Sequence, residues 1–170
     1  MTEAEGGPAE AGAPARPAAR ASRLRVCVSW LLVAAWAGFI FFMSSNTGDD
    51  LHTGLGIASR VYEALCAVQE GLFGAGVDLV SPTAHFLEYA VFGALLFGAL
   101  CCHLPSGRAA LLAAAACASL YGVTDEFHQL FVEGRMCDPA DWAVDTVGAL
   151  AGAAAARAAL RRAQRAQGDG

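Results

Sequence analysis

The chain has 170 residues, 56% of them hydrophobic, with 16 acidic residues against 11 basic ones and a net charge of −5. That apolar share is high for a soluble protein, and the negative balance excludes nucleic acid as a partner of the whole chain. Every basic residue is Arg, and the six Cys include no CxxC pair, so the common zinc pattern is absent as well.

Residues 1–25 are rich in Ala, Gly, Pro and Glu without an apolar period, and they read as a disordered tail. Arg16, Arg20, Arg23 and Arg25 then precede Val26–Met43, an uncharged run about 27 Å long as a helix. A cleaved signal peptide would share the basic start. This run is too long for one, carries Trp30, Trp36, Phe39, Phe41 and Phe42, and ends in Ser44-Ser45-Asn46, a poor cleavage site. It reads as the first span, 26–43.

Asn46–Asp50 is turn chemistry. Beyond it Ile57, Val61, Leu65, Val68 and Leu72 recur at helical spacing, which predicts an amphipathic helix lying on the membrane surface or against the end of the bundle. Further spans are expected over 83–102, 109–132 and 139–160, separated by the turns around Leu104–Gly107 and Glu133–Arg135. A polar tail follows over 161–170. Ala94/Gly98 and Gly148/Gly152 are small-residue pairs suited to close helix contact.

The arginines set the orientation. With the N-terminus inside, nine (Arg16, Arg20, Arg23, Arg25, Arg108, Arg157, Arg161, Arg162, Arg165) fall on the cytoplasmic side and two, Arg60 and Arg135, outside. Both termini are then cytoplasmic. The expected fold is all-α: an integral membrane bundle of four transmembrane helices, with an extracytoplasmic amphipathic helix between the first and second spans.

Depth now gives meaning to the polar residues. A charged side chain near the centre of a membrane helix costs about 2.5–3.5 kcal/mol on the mildest scale, so it persists mainly at wet or functional sites. The third span ends in YGVTDEFHQLFVEGR, where Asp125, His128 and Gln129 share a helix face and Glu126 points roughly 100° away. Ser44 and Ser45 end the first span on the same side; His85, Glu88 and Tyr89 begin the second; Asp138, Asp141 and Asp145 begin the fourth. Four separated segments therefore send polar residues to one membrane face, while the inner halves stay apolar.

FFMSS at 41–45, HFLEYAVFGALL at 85–96, YGVTDEFHQLFVEGR at 121–135 and DWAVDTVG at 141–148 together resemble the VanZ-like family of small bacterial membrane proteins, named for an accessory factor in teicoplanin resistance. The resemblance spans Phe41 to Gly148. It implies a multi-pass protein of the bacterial cytoplasmic membrane and a role in the cell envelope or in antibiotic resistance, but fixes no enzymatic activity. Members often carry a basic residue just before the second-span His; here Pro82-Thr83-Ala84 stand there.

The expected binding pocket comprises Ser44, Ser45, His85, Glu88, Tyr89, Asp125, Glu126, His128, Gln129, Arg135, Asp141 and Asp145. Its partners would be membrane lipids, envelope precursors or another protein. The bland reading makes the histidines helix–helix hydrogen-bonding groups and the serines a helix-end cap. An alternative is a membrane-embedded hydrolase or transferase with Glu126, His128, Asp125 and Asp145 as the catalytic candidates. A nucleophilic Ser beside His128 lacks a G-x-S-x-G context. Nothing demands a cofactor; a divalent metal is the one candidate, held by some combination of His85, Glu88, Asp125, His128 and Asp141. A proton or cation carrier ranks last, because no polar path continues inward. Clustered carboxylates facing one obligate cation, Arg135, need protons, a cation or a cationic ligand. Cys66 and Cys137 are the two cysteines expected outside; an oxidising exterior permits their pairing, although two free thiols is the first expectation.

Overall fold

The protein is described here from a computed structural model that covers residues 22–45, 57–74, 79–105, 107–133 and 135–168. The expected tail before Ser22, the Asn46–Asp50 turn and the side chains of Ile57, Val61 and Leu65 lie outside the described residues. Five helices account for the described fold, in the order α1 (Arg23–Ser44), α2 (Ile57–Phe73), α3 (Val80–Leu100), α4 (Gly107–Gln129) and α5 (Pro139–Gly168). Four of them, α1, α3, α4 and α5, are long and apolar enough to cross a membrane. They show outward the large side chains that lipid would solvate, among them Leu31, Phe41 and Phe42 of α1 and Leu112, Leu120 and Phe127 of α4.

Local chemistry sets the helix ends. Ser22 caps α1, its hydroxyl accepting from the Arg25 N–H at 3.3 Å. At α5, Asp138 Oδ1 accepts from the Ala140 N–H at 2.8 Å and Pro139 takes the first helical position. Helix α2 stops at Gly74, whose φ of +88° belongs to the left-handed region, with its N–H bonded to the Glu70 carbonyl. From α2, Gln69 Oε1 accepts the N–H groups of Leu79 and Val80, the latter at 2.8 Å, and so closes the open start of α3. The remaining described part of the apolar stripe on α2, Val68 and Leu72, is exposed. Two ends depart from expectation. Helix α4 stops at Gln129, after which Leu130–Glu133 turns; α5 runs on to Gly168, because the Ala- and Arg-rich stretch after 160 consists of strong helix formers.

Helices α3 and α5 form the most extensive contact, with α4 against α5 next and α1 laid mainly on α3. Glycine is what lets α3 and α5 touch. A Cβ at Gly93 would collide with the Ala149 carbonyl, at Gly148 with that of Phe86, and at Gly152 with that of Ala90. The Gly148/Gly152 pair is therefore the contact its spacing suggested. Gly98 has open space around it, and its role on α3 falls to Gly93. On α4 the buried row Ala110, Ala114, Ala118 and Gly122 permits similarly close packing. Helix α1 is tied on by hydrogen bonds: Trp36 Nε1 donates to the Glu88 carbonyl at 3.0 Å, and the Tyr121 hydroxyl donates to the Ala37 carbonyl at 2.7 Å.

Up-and-down connectivity gives the bundle two unlike ends. The end of α1, the start of α3, the end of α4 and the start of α5 meet at an acidic end. Arg23, Arg25, Arg108, Arg157, Arg161, Arg162 and Arg165 gather at the other.

Candidate functional site

At the acidic end the side chains that would normally seek water are folded inward. Asp125 is 2% exposed, Glu126 4%, Gln129 2% and Asp145 0%. His85 Nδ1 and Asp145 Oδ1 are 3.1 Å apart and join α3 to α5. Glu126 Oε2 accepts the N–H of Asp138 at 2.8 Å, so α4 holds the entry to α5. The chain leaves other groups without partners. Ser44 Oγ, the Tyr89 hydroxyl, Asp125 Oδ1, Glu126 Oε1, Gln129 Nε2 and Asp145 Oδ2 are all buried and lack a fully formed hydrogen bond. Ser44 lies close to the Asp125 carboxylate without completing that bond. Each such group costs about 1–3 kcal/mol if nothing satisfies it, so six in one neighbourhood call for water, an ion or a ligand.

Apart from the Tyr89 hydroxyl, which lies in neither, these groups divide between two places. A cavity of about 130 Å³ opens between α1, α3 and the end of α4, lined by Ser44, Ser81, His85, Glu88, Asp125, Gln129 and Arg135, with Ile40, Met43 and Ala84 as its apolar wall. The Arg135 charge is near enough to act on both Glu88 and Asp125. Deeper between α3, α4 and α5, ligand atoms of His85, Glu126 and Asp145 all lie within 4.8 Å of one another. His85 belongs to both places.

The metal set anticipated from the sequence therefore differs from the one assembled. Among the described residues, the cluster with ligand spacing is His85, Glu126 and Asp145; Glu88, Asp125, His128 and Asp141 are not in it. The cause is the wedge position of α4. One face of it meets α1 and α3 and another meets α5, so the 100° between successive residues aims Asp125 at the cavity and Glu126 at α5. Both are buried, by different neighbours. His128 is turned to α1, where it stacks on Phe41 at 4.3 Å between ring centroids and contacts Ser45 Oγ at 3.1 Å. Ser45 Oγ also reaches the Phe41 carbonyl at 2.6 Å, and the tautomer of His128 sets which partner donates in the 3.1 Å contact. Asp141 is partly exposed and acts on His85, Glu126 and Asp145 by charge alone.

Some contributors carried no clear signal. Ser81, Met43 and Ile40 line the cavity. Trp142 Nε1 donates to the Ser119 carbonyl at 3.1 Å, and Ser119 Oγ and Thr146 Oγ1 are 2.9 Å apart, forming a polar seam between α4 and α5. The Trp142/Thr146 spacing of four, on the face beside Asp141 and Asp145, was the available hint. A Cβ at Gly122 would sit in ordinary contact with Tyr89 and Asp145 at 3.5 Å and slightly tight against Trp142 at 3.3 Å. All six cysteines are free thiols, Cys66 and Cys137 included.

Four apolar helices enclosing a cluster of buried acids, a histidine and a small cavity at one end define a multi-pass membrane protein with a polar site at one bundle end. The matching profile is that of VanZ/LLP1, over residues 29–161. The chain belongs to the VanZ/LLP1 family, and the match takes in α1 from Ser29, all of α2, α3 and α4, and α5 as far as Arg161. No curated protein and no solved structure matches it.

Proposed function

We propose that this protein is an envelope accessory of the cytoplasmic membrane whose acidic end faces outward and takes a small cationic or hydrogen-bond-donating group of a lipid or envelope precursor into the cavity. The observation that carries the reading is the concentration of buried, unpartnered polar atoms at that end, of which Ser44 Oγ, Asp125 Oδ1 and Gln129 Nε2 belong to residues that line the cavity. Two carboxylates on the cavity, Glu88 and Asp125, beside one arginine, Arg135, suit a ligand that donates or carries positive charge. Size narrows the ligand. A space of about 130 Å³ is ample for several waters or an ammonium-bearing headgroup fragment, and too small for a whole glycopeptide. Glycopeptide tolerance, which the family name suggests, would then follow from what the protein does to an envelope component at the membrane surface.

The test is native mass spectrometry of the protein extracted with its lipids, alongside teicoplanin sensitivity of the host. Asp125→Asn with Glu88→Gln should lose an amine-headed ligand that the native protein retains, and should lose tolerance with it. Identical co-purifying lipids and identical sensitivity in native and double-variant protein would refute the reading.

The His85, Glu126 and Asp145 cluster supports a second reading, a metal-assisted hydrolase or transferase. Three ligands with room for a fourth is the arrangement of catalytic zinc sites, and Glu126 Oε1 and Asp145 Oδ2 are the oxygens without partners. Chelator treatment followed by zinc, magnesium, manganese or calcium should raise thermal stability in native protein and not in Glu126→Gln. Loss of phenotype in Glu126→Gln with lipid binding intact would favour chemistry over recognition.

A further inference from the structure

We propose that the His85, Glu126 and Asp145 cluster is a regulatory cation site, at which a divalent ion weakens the binding of a positively charged headgroup in the cavity and is weakened by it. The inference rests on both readings above, the cavity for an amine and the cluster for an ion, and adds that the two occupants oppose each other.

The two places share a residue and a field. His85 lines the cavity and also supplies one of the three ligand atoms that lie within 4.8 Å of one another. Asp125 on the cavity and Glu126 in the cluster are consecutive on α4. Carboxylates of one place act on those of the other, Asp125 on Asp145 and Asp145 on Glu88. Glu88, Asp125, Glu126 and Asp145 therefore build one negative potential across both places. Asp141 adds to it from α5, while His85 and Arg135 are the positive groups that act on it.

The cluster has its own need for an occupant. Glu126 Oε1 and Asp145 Oδ2 are oxygens without partners, on residues 4% and 0% exposed. The second oxygen of each is held, Glu126 Oε2 by the Asp138 N–H at 2.8 Å and Asp145 Oδ1 by His85 Nδ1 at 3.1 Å. Carboxylates fixed in this way by outer bonds are oriented as metal ligands are. One imidazole with two carboxylates suits zinc, whereas calcium and magnesium take oxygen ligands.

Electrostatics then gives the sign of the coupling. An ion in the cluster adds two positive charges beside Asp125 and engages the His85 ring that the cavity also uses. Both cations draw on the same acids, so the first to bind removes part of the attraction for the second. The apolar bundle makes that loss larger than it would be in water. Coupling between sites typically lies between about 5-fold and 150-fold, and it is reciprocal. A catalytic ion, which holds its substrate in place, would strengthen binding instead.

The experiment uses the full chain in a neutral detergent at fixed pH and salt. Dissociation constants are measured for dioctanoyl phosphatidylethanolamine with and without saturating zinc, and for zinc with and without saturating lipid. Both should weaken about tenfold, and by the same factor. Dioctanoyl phosphatidylglycerol, which has the phosphate but no amine, should show no such coupling, which separates the effect from zinc on phosphate. Ethanolamine weakened by zinc in the same way would support the coupling with a soluble amine as the source. In Glu126→Gln zinc should bind at least about tenfold less well, and its effect on the lipid should disappear. Asp145→Asn serves if that variant does not fold, and the reciprocal measurement on native protein needs neither. Binding of both occupants without coupling overturns the proposal and leaves both earlier readings standing. Tighter lipid binding with zinc overturns it in favour of a catalytic ion. Failure of zinc to bind overturns it together with the cluster reading, and failure of both amines overturns it together with the cavity reading.

Discussion

Replacing Gly148 with Ala should disturb the acidic site from a distance, through the backbone alone. The added methyl would overlap the Phe86 carbonyl oxygen, with the carbonyl carbon and Cα of Phe86 3.1 Å away. These are backbone atoms of α3 and cannot rotate aside, so α3 and α5 must separate. Phe86 follows His85, and Asp145 lies three residues before Gly148, so the separation opens the 3.1 Å contact between them. Overpacking of this kind costs about 1–3 kcal/mol, and a weakened bond to a charged partner adds about 1.5–3 kcal/mol. Better helix propensity returns about 1 kcal/mol. The net expectation is a loss of about 1.5–5 kcal/mol. Gly122→Ala is the control. Its methyl would meet side chains at 3.3 Å (Trp142) and 3.5 Å (Tyr89 and Asp145), which can yield slightly, so its effect should stay within about 1 kcal/mol. Reversible unfolding of both variants by titration from mild detergent into dodecyl sulfate measures the difference. Equal stability of Gly148→Ala and native protein, or a larger loss in Gly122→Ala, would refute the claim that glycine-mediated contact between α3 and α5 sets the site.

Tyr121→Phe removes the hydroxyl that bonds the Ala37 carbonyl at 2.7 Å and should lower stability by about 1 kcal/mol, with faster proteolysis of α1 as the local readout. Glu126→Ala should cost more than Glu126→Gln in the same unfolding assay. The amide still accepts the Asp138 N–H that α5 depends on, while alanine leaves that N–H and a cavity behind. In a cysteine-free background, Asp50→Cys and Met136→Cys should react with an impermeant thiol reagent added outside cells and Pro105→Cys should not; the reverse pattern would invert the bundle. Trp142→Phe breaks the bond to the Ser119 carbonyl and should destabilise by about 1 kcal/mol while leaving any metal-dependent stabilisation through His85 unchanged.

Much of this architecture is legible in one dimension because a membrane simplifies the problem. Backbone groups in lipid must bond within their own helix, so an uncharged run such as Val26–Met43 has one available structure. The arginine bias separates the two ends, and helix periodicity put Asp125 and Gln129 on the face that lines the cavity. The Gly148/Gly152 contact followed from spacing as well. Lateral neighbours are another matter, since lipid and protein interiors are equally apolar and periodicity does not say which face meets which helix. Only the tertiary packing decided that α4 sits as a wedge, burying Glu126 against α5 as deeply as Asp125 against the cavity. It turned His128 away to Phe41 and Ser45, and it drew His85, Glu126 and Asp145 into one cluster in place of the expected ligand set. The arginine end shows the same division. The sequence places those charges at one end of the bundle, whereas the crossing of α4 and α5 brings Arg108, Arg157 and Arg161 around one cavity.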